Sequence, residues 1–143
     1  MAYKRPESVL VVVYTQDSSV LLLQRSDWPV FWQSVTGGMQ TNETEPLVSA
    51  WRELKEETGL STEHGQMQDC FESQEFDIYP RWLHRYAPGV TKNLEHVFCF
   101  KIPKPREITL SQEHQNYCWV TKEKALELII STTNYEAIKR HVP

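Results

Sequence analysis

Cysteine, basic charge and long apolar runs are all scarce in this sequence. Only three cysteines occur, Cys70, Cys99 and Cys118. They are odd in number and scattered, with no Cys-x-x-Cys pair and no histidine at zinc-finger distance, so they give no disulfide framework and no zinc-finger pattern. They read as reduced, small core residues, with a thiol nucleophile as the alternative. No run approaches the ~20 apolar residues that cross a bilayer. Met1 to Ser8 is polar where a signal peptide would carry an apolar segment, so a cytoplasmic protein with no membrane partner is expected. The 15 Lys and Arg stand against 19 Asp and Glu, a formal net charge of −4, which argues against a nucleic-acid polymer or an anionic membrane as partner. If the ligand is anionic, a bound cation must help. Gly-x4-Gly-Lys-Ser/Thr, the phosphate-binding loop of many NTPases, is absent. Nothing repeats, no segment is low in complexity, and no obligate protein partner is evident.

What remains is a chain of 143 residues, 40% hydrophobic and 24% charged, enough for one domain over residues 1–143 with its own core. Ser8 to Tyr14 (SVLVVVY) and Val20 to Arg25 (VLLLQR), joined by a turn at Gln16 to Ser19, read as a hairpin of buried strands. Trp32 to Thr36 reads as extended, and Gly37-Gly38 as the opening of a polar loop that lasts to Pro46. A helix over Leu47 to Thr58 follows, with Pro46 in its first turn and Gly59 as a left-handed cap. Gln66 to Tyr79 reads as a long strand, Pro80 to Gly89 as a loop, Leu94 to Ile102 and Tyr117 to Val120 as strands. Thr121 caps a helix over Lys122 to Ile130, and a last helix follows Thr133. Strands and helices interleave without regular βαβ crossovers, so the expected class is α+β, with helices covering a sheet.

The segment Gly37 to Leu60 carries the chemistry. At about 100° per residue, Leu47, Ala50, Trp51 and Leu54 form an apolar stripe, while Glu53, Glu56 and Glu57 share a face away from its centre. Like charges at i, i+3 and i+4 repel by a few tenths of a kcal/mol per pair, and Arg52 can relieve Glu56 but not the whole cluster. Such an oxygen-rich face suits a hard divalent cation, of which Mg2+ is the expected one and Mn2+ the alternative; Mg2+ completes its shell with water and substrate phosphate oxygens.

Arg52-Glu53-Leu54-Lys55-Glu56-Glu57-Thr58-Gly59-Leu60 resembles the second half of the Nudix hydrolase box, Arg-Glu-apolar-x-Glu-Glu-x-Gly-apolar, at every specified position. The first half of that box, Gly, five residues, Glu, seven residues, fits less well. Five residues lead from Gly37 to Glu43, but eight then precede Arg52; counted from Gly38, Thr44 stands where the glutamate belongs. Outlying segments, Tyr3 to Pro6, Leu23 to Arg25, Phe31 to Gly37, His84 to Thr91 and Glu113-His114, are similar to a bacterial Nudix subfamily that hydrolyses dihydroneopterin triphosphate and dATP.

The resemblance implies a Nudix-type α/β/α sandwich with a mixed β-sheet. It implies hydrolysis of a small-molecule triphosphate between its α and β phosphates, using Mg2+ and water and releasing pyrophosphate. It places Glu53, Glu56, Glu57 and Gly37 at the metal, together with Glu113, which stands in a Glu-x5-Trp arrangement with Trp119. Arg52, Glu53 and Glu113 are the catalytic candidates, and both Glu53 and Glu113 remain open as the general base. Lys4, Arg25 and Thr36 are expected to face the substrate, with Ser131 also in its pocket. Phe76, Asp77, Ile78 and Tyr79 are expected to supply a stacking wall and polar edge for a pterin or purine. A different Nudix enzyme, acting on the nucleotide pool or on dinucleoside polyphosphates, is the runner-up. A non-catalytic nucleotide-binding module would be expected to have lost one of Glu53, Glu56 and Glu57.

Overall fold

A computed structural model describes residues 2–143. Its elements are β1 (Glu7–Thr15), β2 (Ser19–Arg25), β3 (Trp32–Gln33), β4 (Val35–Gly38), α1 (Pro46–Thr58), β5 (Gln66–Asp77), β6 (Lys92–Ile102), β7 (His114–Thr121), α2 (Lys122–Leu128) and α3 (Thr132–His141). The main path of the sheet is β3-β2-β1-β6-β5. It is mixed: β1 runs parallel to β6 from Glu7 opposite Leu94 to Thr15 opposite Ile102, and β5 runs antiparallel to β6.

The other edge of β1 is shared. Near the turn Tyr14 faces Val20 of β2, and further along Ser8 to Val11 face Gly38 to Val35 of β4. Once β2 leaves to pair with β3 and β7, the backbone groups of β1 need new partners. Gly37 and Gly38 supply them, so they lie in a strand and do not open a loop. The segment expected as a loop from Pro80 also carries order, a 3-10 helix over Pro80–Arg85.

Residues of β1 alternate between two packed faces, which explains its unbroken apolar run. Val9, Val11 and Val13 meet Ala50 and Leu54 of α1, while Leu10, Val12 and Tyr14 meet Ala125, Ala137 and Ile138 of α2 and α3. The layers are therefore helix, sheet, helix, as the resemblance implied. Along α1 the expected stripe holds at Ala50 and Leu54 but fails at Leu47, which is 41% exposed, and Glu53 and Glu57 are buried in its place. Gly59 closes α1 at φ 78, and Thr121 and Ser131 accept the capping hydrogen bonds of α2 and α3. The cysteines are free but not all small core residues: Cys99 is buried, while Cys70 and Cys118 are half-buried. Among the described residues, no helix is long and apolar enough to cross a membrane.

Candidate active site

The α1 carboxylates form a cluster held from two sides. Oxygens of Glu53, Glu56 and Glu57 lie within 4.8 Å of one another, and so do ligand atoms of Glu57, Glu113 and His114. Glu57 is thus the hinge between the helix cluster and the start of β7. It accepts hydrogen bonds from Ser111 Oγ at 2.6 Å and His114 Nδ1 at 2.9 Å. The Gln33 side-chain nitrogen lies 2.9 Å from His114 Nε2. An amide nitrogen can only donate, so Nε2 accepts and Nδ1 carries the proton given to Glu57. Burial would raise the Glu57 pKa, but the hydrogen bonds from His114 and Ser111 outweigh it and leave the carboxyl below its usual value.

Arg52 orders the other side. Its guanidinium donates to Glu43 Oε2 at 2.7 Å, Glu43 Oε1 at 2.9 Å, Glu53 Oε1 at 2.8 Å, Glu56 Oε1 at 3.1 Å and the Gly38 carbonyl at 2.9 Å. It therefore relieves two of the three clustered carboxylates, beyond the Glu56 contact expected from spacing. Glu43 also accepts from Gln40 N at 2.8 Å and Ser49 Oγ at 2.7 Å. The Arg52 hydrogen bond is the main reason its pKa falls to about 2. Despite the extra residue between Glu43 and Arg52, the loop lets the two meet, so the departure from the box is absorbed before α1 begins.

Glu53 has the opposite environment. Only 7% of it is exposed, and burial pushes its pKa up to about 7 against the pull of Arg52. A Cβ placed on Gly37 would lie 2.0 Å from the Glu53 carboxyl carbon. Space, and not an unusual backbone angle, is what position 37 requires.

Beside the cluster a cavity of about 390 Å³ is lined by Lys4, Arg25, Thr36, Gly37, Arg52 and Glu53, with Phe76, Ile78, Tyr79, Glu113 and Ser131 also on its walls. Most of the residues expected from sequence are thus brought together. Arg25 is no ordinary surface charge: it is buried, donates to Asp27 Oδ1 at 2.8 Å, and lies 4.3 Å from the centre of the Trp82 ring. Desolvation and the neighbouring Arg85 hold the Lys4 ammonium below its usual pKa, a strain that an anion in the cavity would relieve. Thr36 uses its hydroxyl to donate to the Val9 carbonyl at 3.1 Å, which leaves only its acceptor capacity for a ligand. Asp77 is a correction: it is outside the cavity lining, its side chain is 81% exposed, and it accepts from Lys92 Nζ at 2.7 Å. Strand alternation turns it away from the side taken by Phe76 and Ile78.

The stacking wall is built differently from the expectation. Phe31, Tyr79 and Trp82 line the cavity in mutual edge-to-face contact, and Trp28 stacks on Phe31 with ring centres 5.1 Å apart. The polar edge is Glu95 with Asn93 and Asn134, all three on the cavity wall and almost fully buried. Glu95 Oε1 accepts from Gln74 Nε2 at 3.2 Å, and burial nevertheless raises its pKa to about 7. Sequence reasoning passed over these residues, although a signal exists. On β6, Asn93 and Glu95 share strand parity with Val97 and Cys99, so an amide and a carboxylate sit on an otherwise apolar face.

The pattern of the NUDIX domain family fits residues 4–141 of the chain. The chain is 46% identical to the dihydroneopterin triphosphate diphosphatase of Haemophilus influenzae, over 99% of this chain and 90% of that protein. It superimposes on the solved structure of the E. coli dihydroneopterin triphosphate pyrophosphohydrolase with a TM-score of 0.92 at 46% identity, covering 99% of this chain and 98% of that one. It is also 32% identical to the asymmetrical bis(5'-nucleosyl)-tetraphosphatase of Caenorhabditis elegans, over 76% of this chain and 71% of that protein.

Proposed function

The chain belongs to the NUDIX family, and on that premise we propose that it is a Mg2+-dependent pyrophosphohydrolase converting dihydroneopterin triphosphate to the monophosphate and pyrophosphate, with weaker action on dATP. The likeness to two proteins named for that substrate, each along nearly the whole chain, supports the reaction. Glu95, on the wall of the same cavity as the rings of Phe31, Tyr79 and Trp82, is the observation that carries the substrate. A pterin presents an N3–H and a 2-amino group side by side, two parallel donors that a carboxylate accepts as a pair. Adenine offers one donor and one acceptor, and suits the protonated carboxyl instead. We take residues 1–143 as one hydrolase domain, and its free cysteines fit a reducing cytoplasmic setting.

The donor set fits a hard cation, because all the clustered side-chain donors of α1 are carboxylates. Glu56, Glu57 and Glu113, with the Gly37 backbone, would hold it, and Glu53 completes the cluster. Mg2+ supplies charge neutralisation at the phosphates and lowers the pKa of bound water. Lys4 and Arg25 hold the outer phosphates, so that the β and γ groups leave together. We assign Glu53 to accept the proton of the attacking water, since it is the buried carboxyl of the cluster that also lines the cavity, held by Arg52 at 2.8 Å. Arg52 and the close approach of Gly37 fix the orientation of its carboxyl. Ring stacking at Tyr79 and the polar edge at Glu95 fix the other end of the substrate, and Ser131 and Asn134 close that end of the cavity.

Initial rates for dihydroneopterin triphosphate, the dNTPs and a dinucleoside tetraphosphate, with phosphate and pyrophosphate assayed separately, test the reading. Pyrophosphate should be the primary product, with the pterin preferred. Preference for dATP would remove the pterin assignment, and stepwise orthophosphate release would remove the cleavage position. In Glu95→Gln, kcat/KM for the pterin should fall by roughly tenfold to a hundredfold, because one of the paired donors faces an amide donor, while dATP should change little. An equal loss for both substrates would assign Glu95 to structure.

The pH profile follows from the same two carboxyls. Ionised Glu53 is the active form, and a bound cation favours that form, so kcat at saturating Mg2+ should fall for every substrate as pH drops below neutral. Ionised Glu95 favours the pterin, so the pterin-to-dATP ratio of kcat/KM should also rise through about 7. An optimum near pH 5 would contradict the role of Glu53.

A further inference from the structure

On the face of the sheet covered by α2 and α3, Cys70, Cys99 and His141 each bring one ligand atom to within 4.8 Å of the others. They come from three elements, β5, β6 and the last turn of α3, which is why no sequence spacing announced them. The β5–β6 register breaks between Asp69 and Glu72, and Phe71 takes φ 53 with its side chain in solvent. This bulge sets Cys70 Sγ 3.6 Å from Cys99 Sγ. Only two buried side-chain polar atoms lack a hydrogen-bond partner among the described residues, His141 Nε2 and Glu72 Oε1, and both belong to this corner. Neither atom is isolated from charge: His141 Nε2 lies 3.1 Å from Glu72 Oε2 and Arg140 Nη2 lies 3.2 Å from Glu72 Oε1, both without hydrogen-bonding geometry.

We propose that Cys70, Cys99 and His141, with Glu72 or a water as the fourth donor, form a site for a borderline-soft divalent cation of the zinc class, separate from the α1 carboxylates. Two sulfurs and an imidazole nitrogen are the donors zinc selects, whereas Mg2+ requires oxygen. At a Zn–S bond of about 2.3 Å, a tetrahedron has a sulfur–sulfur edge of about 3.8 Å. The observed 3.6 Å is close to that edge and far beyond the ~2.05 Å of a disulfide. A cation here takes up a histidine that makes no side-chain hydrogen bond at Nε2 and sits at the negative end of the α3 dipole. It also ties the β5 bulge to α3, whose opposite end, at Ser131 and Asn134, borders the catalytic cavity.

The full chain, kept in reductant with excess Mg2+ to occupy the carboxylate cluster, is loaded with Zn2+ or Co2+ and desalted. One zinc should stay with each chain and raise its Tm. The cobalt form should show thiolate-to-cobalt charge transfer and tetrahedral d–d absorption. Cys70→Ser and His141→Gln should each lose the retained zinc and the charge-transfer band, with the parent's circular dichroism and Mg2+-dependent turnover. Glu57→Gln should keep both. Cobalt absorption without charge transfer, zinc retained in both Cys70→Ser and His141→Gln, or zinc lost in Glu57→Gln alone would overturn the site. If Cys70→Ser fails to fold, His141→Gln, close to the chain end, decides by the same two readouts.

Discussion

Glu57→Gln and Glu53→Gln should each lower kcat by roughly two orders of magnitude or more at saturating Mg2+, a loss of about 2.7 kcal/mol or more of transition-state stabilisation. The reasons differ. Glu57 joins the α1 cluster to Glu113, so glutamine there weakens cation binding from both sides, whereas Glu53→Gln removes the proposed proton acceptor. Stability in metal-free buffer should separate them. The folded pKa of Glu53 is raised to about 7 from an ordinary 4.5, so the native state binds the proton more tightly. Its contribution to stability is therefore lost as pH rises through that interval. Glu53→Gln should hold or raise Tm above neutral pH and flatten that decline. Glu57→Gln exchanges charge-assisted hydrogen bonds from His114 and Ser111 for neutral ones and should lose about 1 kcal/mol. Near-normal turnover in either variant would remove its residue from the site. A Glu113→Gln variant that, unlike Glu53→Gln, abolished the fall of kcat on the acid side would move the base to Glu113.

Glu43→Ala should be the most destabilising change at the site, by about 2–4 kcal/mol. It leaves Arg52 short of its bidentate partner and leaves Ser49 Oγ and Gln40 N without their acceptor. Arg52 positions Glu53, so kcat should fall as well, with KM little changed. The acid limb gives a second signature. The folded pKa of Glu43 is depressed to about 2 from 4.5, so its contribution is fully present above about 4.5 and is lost as pH falls towards 2. Urea unfolding of the alanine variant should show a shallower loss of stability across that window. A Tm within a degree of the parent at pH 7 would show that Arg52 is held without Glu43.

The acidic cluster of α1 was legible because its residues are local. Arg52, Glu53, Glu56 and Glu57 lie within one and a half turns of a single helix, and helical geometry alone puts three carboxylates together. The capping signals at Pro46, Gly59 and Thr121 also act over a few residues, and each stands at the helix end that it marks. Errors arose where the partner was distant in sequence. Gly37-Gly38 looked like a loop because nothing local shows that the edge of β1 lacks a neighbour. Leu47 fits the α1 stripe by spacing, but spacing does not carry the position of the sheet, which leaves it exposed. Asp77 adjoins Phe76, Ile78 and Tyr79 in sequence, yet strand alternation sends it the other way.

By itself, the sequence determined the layers and the acidic helix face: a β1 apolar on both faces requires cover on both sides, and helical spacing brings Glu53, Glu56 and Glu57 together. Only the tertiary structure decided the rest. It let Glu43 reach Arg52 across an irregular loop, set Glu95 in one cavity with the rings of Phe31, Tyr79 and Trp82, and brought Cys70, Cys99 and His141 into one corner. Each of these depends on pairing register and on the packing of elements far apart in the chain. Hydrogen bonds and burial act at a few ångströms, so they take effect only after the sheet has fixed which strands are neighbours.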